Sequence, residues 1–141
     1  MTYPSLKSDV GKLYVLLCGY EILPKSISVS GSDPRFMLCE PVCAYLLDTV
    51  HGWVLLDAGL DPEYIKNTEN QFRYFVSHGM TPPIVRQIHR LDYQLSHIGL
   101  TTDDISWIIL SHLHFDHCGY VKYFPHARVS LQKREYTAAI S

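Results

Sequence analysis

The chain has 141 residues, 47% of them hydrophobic, and a formal net charge of -2, which suits one core and leaves no room for two. The nearest approach to a basic run is Lys133-Arg134, followed at once by Glu135, so a nucleic-acid partner, which needs clustered basic residues, is disfavoured. No stretch reaches the roughly 20 apolar residues of a membrane helix, and Cys18, Cys39, Cys43 and Cys118 are dispersed behind no convincing signal peptide, so free thiols in a reducing, cytoplasmic compartment are expected.

Lys12 to Cys18 (KLYVLLC) is aromatic and β-branched enough for a first strand, closed by Gly19. Glu21 to Pro41 carries Pro24, Gly31, Pro34 and Pro41 among serines and reads as a long surface loop. Val42 to Leu47 and Trp53 to Asp57 are apolar runs separated by His51-Gly52 turn chemistry, which predicts a β-hairpin. The second run ends WVLLDAGL, placing Asp57 where a side chain leaves the sheet. Asp61 to Pro83 is aromatic and irregular, either core cover or pocket lining. Ile84, Ile88, Leu91, Leu95 and Ile98 recur at helical intervals and predict a helix from Pro83 to Gly99. A helical turn at Thr101 to Asp104, a strand at Trp107 to Leu110, a strand at Ala127 to Leu131 and a helix from Lys133 to Ile140 follow. Strands alternating with helices place residues 1–141, as one domain, in the α/β or α+β classes.

The stretch Ser111 to Gly119, SHLHFDHCG, lies at the C-terminal end of the Trp107 to Leu110 strand. In extended chain, side chains two apart point the same way, so His112 and His114 can serve one ion. A turn after them lets Asp116 and His117 serve a second, and zinc accepts both N,N and O,N sets. Cys39 and Cys43 have tolerable zinc spacing but no second ligand pair, and read as two ordinary thiols. His51, His78, His89, His97 and His126 read as turn, loop or helix-surface residues.

The segment closely resembles the H-x-H-x-D-H signature of the metallo-β-lactamase superfamily, and Asp57 in LLDAG resembles that family's earlier strand-end aspartate. Glycine two positions after His117, and KLY in the first strand, look most like the N-acyl-homoserine lactonases that open the lactone ring of bacterial signals; Tyr120 stands where many of those have a second glycine. The resemblance implies an αββα sandwich and two zinc ions, the first held by His112 and His114, the second by Asp116 and His117. The metals would activate water and polarise an ester carbonyl, Asp116 would pass a proton to the leaving alkoxide, and Asp57 would orient a ligand imidazole.

The family completes its site with ligands from a C-terminal half. After His117 this chain offers only His126 and Glu135, in contexts that do not match, so it resembles the N-terminal half, C-terminally truncated. Such a half would expose one sheet face and favour self-association. The expected substrate is a small ester or lactone; a glyoxalase-II-like thioesterase, or a fragment that binds metal without catalysis, is the alternative.

Overall fold

The computed structural model describes residues 9–141. A five-stranded sheet runs in the order β1-β2-β3-β4-β5, from β1 (Val10–Pro24), β2 (Met37–Thr49), β3 (Gly52–Leu56), β4 (Ile105–Ile109) and β5 (Arg128–Ser130). The first three strands pair antiparallel and the last two join in parallel, so the class is mixed α/β, as the sequence implied. The hairpin of β2 and β3 forms where expected. Thr49 Oγ1 accepts the His51 N–H and donates to the Gly52 carbonyl, which closes the turn.

Leu46, Leu55 and Ile108 face one another across β2, β3 and β4 and are fully buried. They share one core with Leu91 and Leu95 of α4 (Leu91–His97) and with Tyr120 and Phe124. Truncating any of these leucines to alanine costs about 2 to 5 kcal/mol. The alternate rows, Leu13 with Leu47, Val54 and Trp107, and Val15 with Tyr45, Leu56 and Ile109, point to the other face. There Leu13 and Val15 are 58% and 62% exposed: the sheet is apolar on both faces and covered on one.

Three expectations need correction. The loop drawn from Glu21 to Pro41 is largely strand, because β1 continues to Pro24 and pairs with β2 from Met37 onward, with only α1 (Lys25–Ser28) and a turn between. Pro41 does not interrupt this ladder. Its partner Tyr20 sends its own N–H and carbonyl the other way, to Ile84, at 3.0 and 2.8 Å, so no N–H is missed at Pro41.

That bridge also truncates the helix expected from Pro83. Ile84 is held extended, a 3-10 turn covers Gln87–His89, and α4 keeps only seven residues; Ile84, Ile88 and Ile98 stay exposed. The irregular stretch from Asp61 contains α2 (Pro62–Lys66) and α3 (Thr68–Tyr74). Asp61 caps the first, accepting the Glu63 N–H with Pro62 in the first turn, and Asn67 caps the second by accepting from the Asn70 N–H. Among the described residues no helix is long and apolar enough to cross a membrane.

Candidate metal centre

The histidine cluster starts where β4 stops. After Leu110 the chain bends through Ser111 and reaches His114, itself extended, which precedes α5 (Phe115–Cys118); the N–H groups of His117 and Cys118 both return to the His114 carbonyl. His112 and His114 therefore stand before the helical turn and Asp116 and His117 upon it. The His112 ring lies 4.6 Å from that of His114 and 4.0 Å from that of His117, centroid to centroid. Asp116 Oδ2 faces His117 Nε2 at 3.0 Å.

Asp57 closes the group from the end of β3. Its backbone is left-handed, with φ 58°, a region that aspartate enters more readily than most residues. Its N–H donates to the Ile109 carbonyl at 2.9 Å, fixing it to β4. Oδ1 accepts the Ser111 N–H at 2.7 Å, while Oδ2 accepts from Ser111 Oγ and lies against His117 Nδ1, both at 2.8 Å. Burial pushes the carboxyl pKa up, but the hydrogen bonds from Ser111 and His117 outweigh it and hold the group below its ordinary range. Ser111 Oγ also lies 2.9 Å from His112 Nδ1, so this hydroxyl links Asp57 to two of the imidazoles. Its part was missed in the sequence because a serine beside a histidine motif carries no spacing signal.

The close docking of α5 depends on Gly119. A methyl group there would stand 2.6 Å from the Asp61 backbone nitrogen and the Phe115 carbonyl, well inside contact distance. The Ala58 N–H reaches the His117 carbonyl at 2.6 Å across the same gap. Tyr120 is not at the cluster. It is fully buried, and its hydroxyl donates to Asp92 Oδ1 at 2.6 Å, tying the segment after α5 to α4.

Two cavities flank the cluster. One, of about 700 Å³, is mainly apolar and runs from Leu23, Ile27, Tyr64, Phe75 and Phe115 to His114 and Asp116. A smaller one, of about 340 Å³, borders Asp57, Asp116, His117 and Cys43. The aromatic stretch from Asp61 thus divides its roles: Tyr64 and Tyr74 line the large cavity, while Phe75 lines it and is also core.

The donor set fits zinc in kind: three imidazoles and a carboxylate, with a second carboxylate behind one imidazole. Asp116 Oδ2 and His117 Nε2, at 3.0 Å, are near the roughly 3.3 Å that separates two donors on one tetrahedral ion. Among the described residues, however, no three His, Cys, Asp or Glu side chains stand ready as a closed metal site.

Of the remaining histidines, His51, His78, His97 and His126 are exposed. His89 is not a surface residue. It is 6% exposed, packs edge-on to Tyr20 at 5.5 Å and accepts the Arg86 N–H at Nδ1. Cys39 and Cys43 are free, and four strand residues apart they stand about 13 Å from each other, too far for one ion.

A strand-end aspartate braced against a histidine-rich turn, on a sheet with parallel β3, β4 and β5, is the frame of a known superfamily. Residues 38–132 match the model of the metallo-beta-lactamase superfamily, and the chain belongs to it. Within that family it is similar to the N-acyl homoserine lactonase AiiA of Bacillus thuringiensis subsp. kurstaki, 37% identical over 131 residues, 93% of this chain and 52% of the relative. The lactonase AiiB of Agrobacterium fabrum (strain C58) is 35% identical over 84% of this chain and 44% of its own length. A solved N-acyl homoserine lactone hydrolase, holding N-hexanoyl-L-homoserine at its catalytic metal centre, superposes with a TM-score of 0.83 at 35% identity, over 95% of this chain and 53% of that one. The chain spans about half the length of the relatives it matches, consistent with the expected N-terminal half.

Proposed function

We propose that this chain carries the zinc-binding half of a hydrolase that opens the lactone ring of N-acyl homoserine lactones. The observation that carries the reading is the gathering of His112, His114, Asp116 and His117 around one helical turn, with His114 and Asp116 lining an apolar cavity. His112 and His114 would hold one zinc, Asp116 and His117 the other. Bound zinc supplies an activated water at neutral pH and polarises the carbonyl under attack.

The protein's own groups do the rest. Asp57, through its contact with His117 Nδ1, fixes which ring nitrogen faces the ion, and Ser111 steadies Asp57 from the next strand end. Asp116 lines both cavities, and there it would take a proton from the attacking water and hand it to the departing alkoxide. The large cavity would take the acyl chain and keep water from it.

Ring opening releases one proton, so a pH-indicator assay on the natural gene product with zinc tests the reading. An N-acyl homoserine lactone should be opened, and a thioester of equal chain length should turn over at least tenfold more slowly. Preference for the thioester would replace lactonase with thioesterase. These 141 residues by themselves should turn the lactone over slowly, because an incomplete donor set holds zinc less well than a closed one.

A further inference from the structure

Glu21 and Asp116 are the two residues that line both cavities. Glu21 sits on β1 just past the bulge at Leu17 to Gly19 and faces Glu40 across the ladder. It is half-buried, yet among the described residues its carboxylate has neither a hydrogen-bond donor nor an ion-pair partner. A carboxylate partly withdrawn from water without a donor is costly, and a ligand that brings a donor recovers that cost.

We propose that Glu21 is a specificity-determining residue that accepts a hydrogen bond from an N–H group at the junction between a ligand's apolar tail and its polar head. The inference rests on the substrate reading above. Glu21 lies two strand residues before Leu23 on β1 and has Asp116 as a charged neighbour, so a ligand with its tail among Leu23, Ile27, Tyr64 and Phe115 and its head at His114 and Asp116 passes it between the two. A secondary amide at that point offers the missing donor. An ester or tertiary amide presents only acceptors, and an anionic group would meet Glu21, Glu40 and Asp116 together. Burial and those two acidic neighbours push the Glu21 carboxyl to about 7, and both of its protonation forms keep an oxygen that accepts.

The test is binding to the 141-residue chain, without turnover. The probes are 3-(decanoylamino)tetrahydrofuran, which lacks the ring carbonyl and cannot be opened, and its N-methyl analogue, in which N–CH₃ replaces the N–H. Titrations followed by ¹H–¹⁵N correlation spectra give affinity, the residues moved and a check of folding. The wild type should favour the secondary amide by about tenfold, the worth of one hydrogen bond to a charged group. Glu21→Gln keeps an accepting oxygen and should retain a preference; Glu21→Leu should bind both probes equally. Equal binding of the probes by the wild type, or an undiminished preference in Glu21→Leu, overturns the inference and leaves the cavity's role intact. Failure of both probes to move Tyr64, Phe75 and Phe115 overturns the substrate reading and this inference with it.

Discussion

Asp57 joins a strained backbone to a side chain that three groups address, and the two contributions can be separated by substitution. Asp57→Asn keeps the shape and an oxygen for the Ser111 N–H, but it loses the charge and puts an amide NH₂ against a donor. It should cost about 1.5 to 3 kcal/mol, the worth of charge-assisted hydrogen bonds at a largely buried carboxylate. Asp57→Gly removes the acceptor outright while tolerating φ 58°, at about 3 kcal/mol for the donors left without a partner. Asp57→Ala adds the left-handed penalty of about 1 kcal/mol and should be the least stable. Urea unfolding of metal-free protein at neutral pH measures the order Asn, Gly, Ala.

The acid limb carries a second signature of the same residue. Because the folded-state pKa of Asp57 is depressed below 3.8, its stabilisation is complete above that value and is lost as pH falls through the folded pKa. Asp57→Asn should therefore differ less from wild type in acid than at neutral pH. An alanine variant within about 0.5 kcal/mol of wild type, or equal to glycine, would refute the argument that both strain and hydrogen bonding are concentrated here.

Glu21 has the opposite sign. Its folded pKa is raised from 4.5 to about 7, so stability is greatest below 4.5 and declines as pH rises through 7. The full shift corresponds to about 3 kcal/mol, which solvent around a half-buried group cuts to about 1 to 2 kcal/mol. Glu21→Gln should then stabilise the metal-free chain at pH 8 and do little at pH 4.5, by thermal melting; the same gain at both would remove the charge explanation. Gly119→Ala forces a methyl group against two backbone atoms at 2.6 Å and should cost about 1 to 3 kcal/mol in urea, whereas a neutral effect would show that α5 docks loosely. The uncovered rows through Leu13, Val15, Tyr45, Trp107 and Ile109 should make the chain associate, and Val15→Glu with Tyr45→Lys should return it to monomer by size-exclusion chromatography with light scattering.

What was legible in the sequence was local. The hairpin was announced by its turn residues, and the strand-end position of Asp57 by the apolar run before it. The histidine cluster was announced by its own spacing. What escaped was set by partners distant in the chain. Pro41 argued for a loop, and only the bridge from Tyr20 to Ile84 shows why a proline is harmless there. The same bridge spoiled the helical periodicity from Ile84, a case of tertiary pairing overriding pattern. The helices after Asp61 did carry a signal, in the caps Asp61-Pro62-Glu63 and Asn67, which aromatic irregularity masked. Glu21 was invisible as a site residue because its neighbours Asp116 and Glu40 come from a turn and a strand that its own sequence context does not foretell.

His112, His114, Asp116 and His117 are the residues proposed to hold zinc. Equilibrium dialysis of the chain against micromolar zinc, followed by elemental analysis, tests it on the wild type and on the double variant His112→Ala with Asp116→Ala. Zinc should bind the wild type, at less than two ions per chain because no closed donor set stands among the described residues, and should be lost in the variant. Equal zinc on both proteins would place the metal elsewhere and rule these four residues out as its ligands.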